Sequence, residues 1–215
     1  MTGEPVKVFI ADDHAMVREG LAALVSGDPR ICVVGHCGDG LKVIEMVRQA
    51  QPDVVVLDIS MPGMNGLDIC RDLARKFSST AVLILTMHDD EQFIARALEY
   101  GASGYLLKEA AAEQFSEAIR TVARGEIYLG PRVPRSVLQK IGRTEKDSYE
   151  LLTTRERQVL QLIAEGRTNR DISKALDVSV KTIDTHRSHL MRKLNIHDQT
   201  SLVKFALKKG IITLK

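Results

Sequence analysis

Four short apolar runs in the first half of the chain each end in residues able to carry chemistry. Val8-Phe9-Ile10-Ala11 gives way to Asp12 and Asp13, and Pro52-Asp53-Val54-Val55-Val56-Leu57 to Asp58. Val82-Leu83-Ile84-Leu85 ends in Thr86, and Gly104-Tyr105-Leu106-Leu107 ends in Lys108. Runs of this kind read as strands buried on both faces, as in a parallel sheet covered by helices. Ile31 to Gly35 adds a fifth strand. Helical spacing lies between them, first from about Met16 to Val25 with Val17, Leu21, Leu24 and Val25 on one inner face. Further helices are expected over Leu41 to Gln49 (Val43, Ile44 and Val47 inward), Leu67 to about Lys76, about Asp90 to Tyr100, and Ala112 to Arg124. Met61-Pro62-Gly63-Met64-Asn65-Gly66 is a dense turn signal. Five strands alternating with five helices predict a doubly wound α/β domain over residues 1–125, with a five-stranded parallel sheet.

Residues 126–149 hold Gly130, Pro131, Pro134, Gly142 and a polar stretch from Arg143 to Ser148, and read as a linker with a short helical segment around Ser136 to Ile141. From residue 150 to 215 strand signals are absent and the pattern is helical. Thr153 with Glu156 has capping-box spacing and opens a helix to Ala164, stopped at Gly166. Thr168 with Asp171 opens a second helix, ending near Leu176. Asp177-Val178-Ser179 is a short turn, and Ser179 caps a third helix running to about Leu194. A fourth begins at Asp198 or Thr200 and ends before Gly210. Helix, three-residue turn, helix is the spacing of a helix-turn-helix in a small four-helix, all-α domain.

Composition sharpens the division. The net charge of +2 conceals an acidic front and a basic back: residues 1–125 carry 12 Lys+Arg against 18 Asp+Glu, and residues 126–215 carry 18 against 10. A metal or phosphate site in one half and nucleic acid in the other fit that asymmetry. Cys32, Cys37 and Cys70 are odd in number and lack CxxC spacing, which argues for reduced thiols and against a disulfide framework or zinc site. Cys32 and Cys70 are expected to pack as small hydrophobes. No apolar stretch approaches the roughly 20 residues of a membrane helix. A soluble, intracellular protein without a membrane partner is expected.

In an open parallel sheet the strand C-termini share one edge, where ligands bind. Asp12, Asp13, Asp58, Thr86 and Lys108 would converge there, which is the chemistry of a phosphorylatable aspartate. Asp58 would be the acceptor. Phosphoryl donor and carboxylate are both anionic, so a divalent cation is needed between them. Asp12, Asp13, Asp58 and a backbone carbonyl after Asp58, that of Ser60, offer the oxygen ligands that suit Mg²⁺. Lys108 can neutralise a phosphoryl oxygen, and the Thr86 hydroxyl can hydrogen-bond to another.

Residues 6 to about 124 closely resemble the response-regulator receiver domain, a flavodoxin-like fold. Ile10-Ala11-Asp12-Asp13-His14, Leu57-Asp58-Ile59-Ser60-Met61-Pro62-Gly63-Met64-Asn65-Gly66, Thr86 and Gly101-Ala102-Ser103-Gly104-Tyr105-Leu106-Leu107-Lys108 carry the resemblance. It implies that a sensor histidine kinase phosphorylates Asp58, that Thr86 and Tyr105 move as a switch, and that Ser60 and His88 occupy positions that tune dephosphorylation. Glu109 stands where many receivers have proline. A phosphatase of the haloacid dehalogenase kind would place a second Asp two residues after the nucleophile, where this chain has Ser60.

On the third helix of the back half, Ile183, Leu190 and Leu194 fall on a buried face. Lys181, Thr185, Ser188 and Arg192 lie opposite, with Asp184 flanking. Such a polar face beside basic residues can enter a major groove, with Lys181 and Arg192 on phosphates. The segment Leu152-Thr153-Thr154-Arg155-Glu156-Arg157-Gln158-Val159-Leu160, with Lys181-Thr182-Ile183-Asp184-Thr185-His186-Arg187 and Arg192-Lys193-Leu194, resembles the LuxR-type helix-turn-helix. The whole chain thus looks like a NarL/FixJ-type transcriptional regulator, not an enzyme in its own right. Contacts to double-stranded DNA from Lys181, Thr182, Asp184, Thr185, Ser188 and Arg192 are expected. Asp184, where some relatives carry lysine, would favour a cytosine amino group or repel phosphate. The resemblance further implies a homodimer, when phosphorylated or DNA-bound, through the last helix with Leu202, Val203 and Ala206, in a bacterial cytoplasm. His186 and His189 have no third ligand nearby and do not read as a metal pair.

Overall fold

A computed structural model describes residues 4–139 and 148–212. The chain forms two compact units whose main boundary falls between Arg143 and Thr144. The expected polar stretch from Arg143 and the Gly142 punctuation lie outside the described residues.

The first unit alternates β1 (Val6–Ala11), α1 (Ala15–Val25), β2 (Ile31–Cys37), α2 (Val43–Ala50), β3 (Val54–Leu57), α3 (Gly66–Lys76), β4 (Ala81–Thr86), α4 (Glu91–Glu99), β5 (Gly104–Leu107) and α5 (Ala112–Ala123). A sixth strand, β6 (Tyr128–Leu129), completes a parallel sheet of order β2-β1-β3-β4-β5-β6. Alternation sends Val8, Ile10, Val54, Val56, Leu83, Leu85 and Leu106 to one face, where they pack with Phe115, Ala118, Ile119 and Val122 of α5. Phe9, Val55, Leu57 and Ile84 alternate with them and are equally buried. Coverage on both faces explains why these strands read as unbroken apolar runs.

The sheet has six strands rather than five, and the extra one falls in the expected linker. Tyr128 N donates to Ser103 O (3.0 Å) and Gly130 N to Tyr105 O (2.9 Å). A two-residue strand held through its backbone leaves no periodic trace in the sequence. A Cβ at Gly130 would lie 2.9 Å from Leu106 Cδ1, so glycine permits the approach. The expected helical segment begins as a 3₁₀ turn, Arg135–Gln139, and its last residues lie outside the described ones. Two burial expectations also fail. Leu24 is 51% exposed because the inner face of α1 is turned toward Ala22. Cys32 is exposed because β2 is an edge strand.

The second unit comprises a 3₁₀ turn (Ser148–Leu151), α6 (Thr154–Ala164), α7 (Asn169–Ala175), α8 (Val180–Leu194) and α9 (Gln199–Lys208). Thr153 and Thr168 make complete capping boxes with Glu156 and Asp171. Ser179 caps α8 and Asp198 caps α9. Each satisfies an N–H that the first helical turn would otherwise leave unpaired. Tyr149 is buried beneath the Arg157 guanidinium, 4.2 Å from its ring centroid.

Candidate functional site

The strand order reverses between β1 and β3, since β2 lies on one side of β1 and β3 to β5 on the other. That switch point opens a crevice at the strand C-termini, and Asp12, Asp13 and Asp58 stand on its two walls. Asp12 N donates to Cys37 O and Asp58 N to Ala11 O (2.8 Å), so the ladder extends to both carboxylates and fixes their backbone. Candidate ligand atoms of Asp12, Asp13, His14 and Asp58 all lie within 4.8 Å of one another.

Asp12 and Asp58 are 2% and 3% exposed, and Lys108 reaches both: Nζ is 2.6 Å from Asp12 Oδ2 and 2.8 Å from Asp58 Oδ2. Burial depresses the Lys108 pKa, but its hydrogen bonds to Asp12 and Asp58 outweigh that and hold it above the ordinary value. Asp12 Oδ1 accepts from His14 N (2.9 Å), and Arg18 Nη1 donates to the Asp12 carbonyl (2.6 Å). Asp58 Oδ1 is buried and accepts no hydrogen bond among the described residues. A buried, unpaired carboxylate oxygen is costly unless something binds it. One ammonium against three carboxylates leaves a charge near −2, which suits a hard divalent cation.

The loop after Asp58 is drawn tight. Ile59 O accepts from both Met61 N and Gly66 N, at 2.9 Å each. A Cβ at Gly66 would sit 2.0 Å from the Asp58 carbonyl oxygen, so only glycine fits at this helix start.

Ser60, Thr86 and Tyr105 meet at His88 rather than at Asp58. Ser60 Oγ lies 3.1 Å from His88 Nε2, His88 N donates to Thr86 Oγ1 (3.4 Å), and the Tyr105 hydroxyl donates to His88 O (2.7 Å). The His88 ring stacks on Phe93 of α4 at 4.7 Å. Tyr105 is fully buried, and burial together with the charge on Asp58 pushes its phenol pKa up.

In the second unit, Ile183, Leu190 and Leu194 are buried, and Lys181, Asp184, Thr185, Ser188 and Arg192 are exposed on α8 as their spacing predicts. Thr182 is half-buried and its hydroxyl lies 2.8 Å from Ser179 Oγ within the cap.

The sequence profile described as the response regulator receiver domain matches residues 8–120, and that of bacterial regulatory proteins of the luxR family matches residues 150–206. The oxygen regulatory protein NreC of Staphylococcus carnosus (strain TM300) is 40% identical over 215 residues, covering 96% of this chain and 99% of its own. The transcriptional regulatory protein DegU of Brevibacillus brevis is 36% identical, covering 98% and 96%. A solved structure of two RcsB dimers bound to two parallel DNAs matches with a TM-score of 0.56 at 26% identity, covering 94% and 98%. The chain belongs to the NarL/FixJ-type response regulators. It joins a receiver to a LuxR-type DNA-binding domain, and its relatives are transcription regulators rather than enzymes.

One expected set in this regulator needs correction. Leu202 and Ala206 are fully buried where α9 packs on α6, and only Val203 is half-exposed. The first two are core residues, because the α9 face that spacing marks as apolar is the one α6 covers. Sequence reasoning also missed the central position of His88, the Arg18 contact and the buried Arg157. His88 alone had a signal, its offset of two from Thr86. No helix of the described residues is long and apolar enough to cross a membrane.

Proposed function

We propose that Asp58 accepts a phosphoryl group from the phosphohistidine of a sensor histidine kinase, and that this modification controls dimerisation and sequence-specific DNA binding. One observation carries the reading: Asp58 Oδ1 is buried without a partner at the switch point, beside two further carboxylates. That oxygen attacks phosphorus, a P–O bond forms, and the P–N bond breaks with its electron pair returning to the donor imidazole. Asp12, Asp13, Asp58 and the Ser60 backbone carbonyl would hold Mg²⁺, whose charge supplies neutralisation between the anionic reactants. Lys108 exchanges its carboxylate partners for a phosphoryl oxygen, and the Thr86 hydroxyl donates to another. Thr86 and Tyr105 both bond to His88, so movement of Thr86 alters the seat of the Tyr105 hydroxyl and of α4.

The output is double-stranded DNA, contacted by Lys181 and Arg192 at phosphates and by Asp184, Thr185 and Ser188 near base edges, with Thr182 at the helix start. The RcsB structure, with dimers on DNA, supports a homodimer as the bound form. With Leu202 and Ala206 internal, the dimer surface of α9 would centre on Val203. A receiver fed by a kinase and acting on promoters belongs in the bacterial cytoplasm.

Intact-mass analysis after incubation with acetyl phosphate tests the acceptor. A single phosphoryl adduct is expected in the wild type, dependent on Mg²⁺ and absent in Asp58→Asn. An adduct that persists in Asp58→Asn, or none from either acetyl phosphate or a phosphohistidine donor, would overturn the assignment.

A further inference from the structure

The exposed face of α8 carries one carboxylate, and it is held by a neighbouring helix. Asp184 Oδ1 accepts from Asn169 Nδ2 at 2.6 Å, and Asn169 is the first residue of α7. Asn169 Oδ1 accepts in turn from Arg187 Nη1 (3.4 Å), and Arg187 Nη2 donates to Gln199 Oε1 (3.2 Å). Four side chains from α7, α8 and α9 thus form one line. The Asn169 amide has a single orientation that serves it, since the carboxylate requires the NH₂ and the guanidinium requires the oxygen. Among the described residues, nothing donates to Asp184 Oδ2.

The residues beside Asp184 narrow what can approach. Thr185 Oγ1 donates to Lys181 O (3.0 Å) and Ser188 Oγ to Asp184 O (2.9 Å), so both hydroxyl protons are committed to the helix. Their oxygens, like Asp184 Oδ2, are left to accept. The centre of the face therefore offers acceptors only, between the exposed cations Lys181 and Arg192. In the major groove, the donors are the amino groups of cytosine and adenine. Adenine sets its N7 acceptor beside its amino group, which opposes a carboxylate, whereas cytosine sets only a C–H there.

We propose that Asp184, oriented by Asn169, reads a cytosine amino group in each half of the DNA site. Asp184 is then a specificity-determining residue and Asn169 its positioning residue. The inference rests on α8 being the reading helix, as proposed above. It also accounts for an acidic residue on a surface that must approach phosphates: a mobile carboxylate would be repelled, whereas one tethered toward α7 is kept on the base edges.

The test is selection from a randomised double-stranded DNA library by the full-length chain after treatment with acetyl phosphate and Mg²⁺. Wild type, Asp184→Asn and Asn169→Ala are compared by the ratio of affinities for each base at each position. Such a ratio is insensitive to a uniform loss of binding. The wild type is expected to select cytosine at one position per half-site. Asp184→Asn, near-isosteric and exposed, is expected to move that position to adenine, which an amide side chain can bind through two hydrogen bonds. Asn169→Ala is expected to weaken the cytosine preference about fivefold, a share of the discrimination one base contact supplies. An unchanged cytosine in Asp184→Asn would overturn the role of Asp184, and an unchanged preference in folded Asn169→Ala would overturn the positioning role. If Asn169→Ala fails to fold, Asp184→Asn still decides the base assignment. A wild-type chain that enriches no sequence would overturn the DNA-reading assignment of α8 itself, an outcome distinct from enrichment without cytosine.

Discussion

The carboxylates at the helix starts of the helical unit and those at the switch point of the sheet unit are treated in opposite ways. In the helical unit, Glu156, Asp171 and Asp198 each accept from a backbone N–H at a helix start and from a Thr or Ser hydroxyl. All three are held below the usual carboxylate pKa. For Glu156, burial alone would raise the pKa, and the Lys193 and Thr153 hydrogen bonds overcome it. For Asp171 and Asp198, the cap hydrogen bonds from Thr168 and Ser201 do the same. In the sheet unit, Asp12, Asp13 and Asp58 crowd together, one ammonium pairs with Asp12 and Asp58, and an oxygen of Asp58 is left bare. A carboxylate whose charge is already compensated by cap and cation donors is a structural part. An unsaturated cluster stores unfavourable energy that a ligand can release, which is what a switch requires.

The sharpest way to break that contrast is Gly66→Ala. Its Cβ would fall 2.0 Å from the Asp58 carbonyl oxygen, with Ile59 Cα at 2.8 Å, both backbone atoms that cannot rotate away. The expected cost exceeds about 4 kcal/mol in the unfolding of the sheet unit, in the range of severe backbone and overpacking defects. Calorimetry should show the sheet transition lowered or lost while the helical transition stays put. A sheet transition at the wild-type temperature would mean that the loop yields, and that Asp58 is less firmly placed than the geometry indicates.

Much of this arrangement was legible in the sequence. Strand ends and switch-point carboxylates follow from short apolar runs, and local spacing gives the caps Thr153, Thr168 and Ser179, with Asp198 one of two candidates for the last. Residues whose role depends on a third partner were not legible. Arg157 is buried because Tyr149 lies beneath its guanidinium, the Leu152 carbonyl accepts from its Nε (3.1 Å) and Glu150 Oε2 accepts from its Nη2 (3.1 Å). Tyr128 joins the sheet through its backbone, which any residue could supply. Periodicity marks the apolar face that carries Leu202 and Ala206 without naming what covers it, and in the structure that is α6 rather than a second chain. The offset of His88 from Thr86 points to its side chain alone, whereas the structure engages its ring, its N–H and its carbonyl separately.

Removing the ammonium should sharpen the comparison. Lys108→Met leaves Asp12 and Asp58 buried with no cation between them. Breaking such a pair costs about 3 kcal/mol. In metal-free buffer the sheet transition is expected to fall accordingly. Added Mg²⁺ should recover part of the loss by binding only the folded cluster, and the helical transition should ignore it. Equal stability of Lys108→Met and wild type without Mg²⁺ would show that the three carboxylates do not repel as their spacing demands. A Mg²⁺ response in the helical transition would show that the charges of its carboxylates are not compensated by their donors.

The smallest effect belongs to Glu156→Gln, and its pH dependence identifies it. Glu156 accepts from Lys193 Nζ (2.6 Å), Thr153 N (2.8 Å) and Thr153 Oγ1 (3.0 Å). Glutamine can keep the capping box but loses the charge-assisted bond to Lys193, worth about 2 kcal/mol. The folded pKa of Glu156 lies below its ordinary 4.5, so the charged form stabilises the fold. That stabilisation is fully present above the unfolded pKa and drains away as pH falls through the folded one. The gap between wild type and Glu156→Gln in the helical transition should therefore be widest at neutral pH and close on acidification below 4.5. Mg²⁺ should leave it unchanged at every pH. A gap that stays constant down to low pH would trace the loss to packing or cap geometry rather than to charge, and Glu156 would then cease to serve as the charge-compensated counterpart of Asp58.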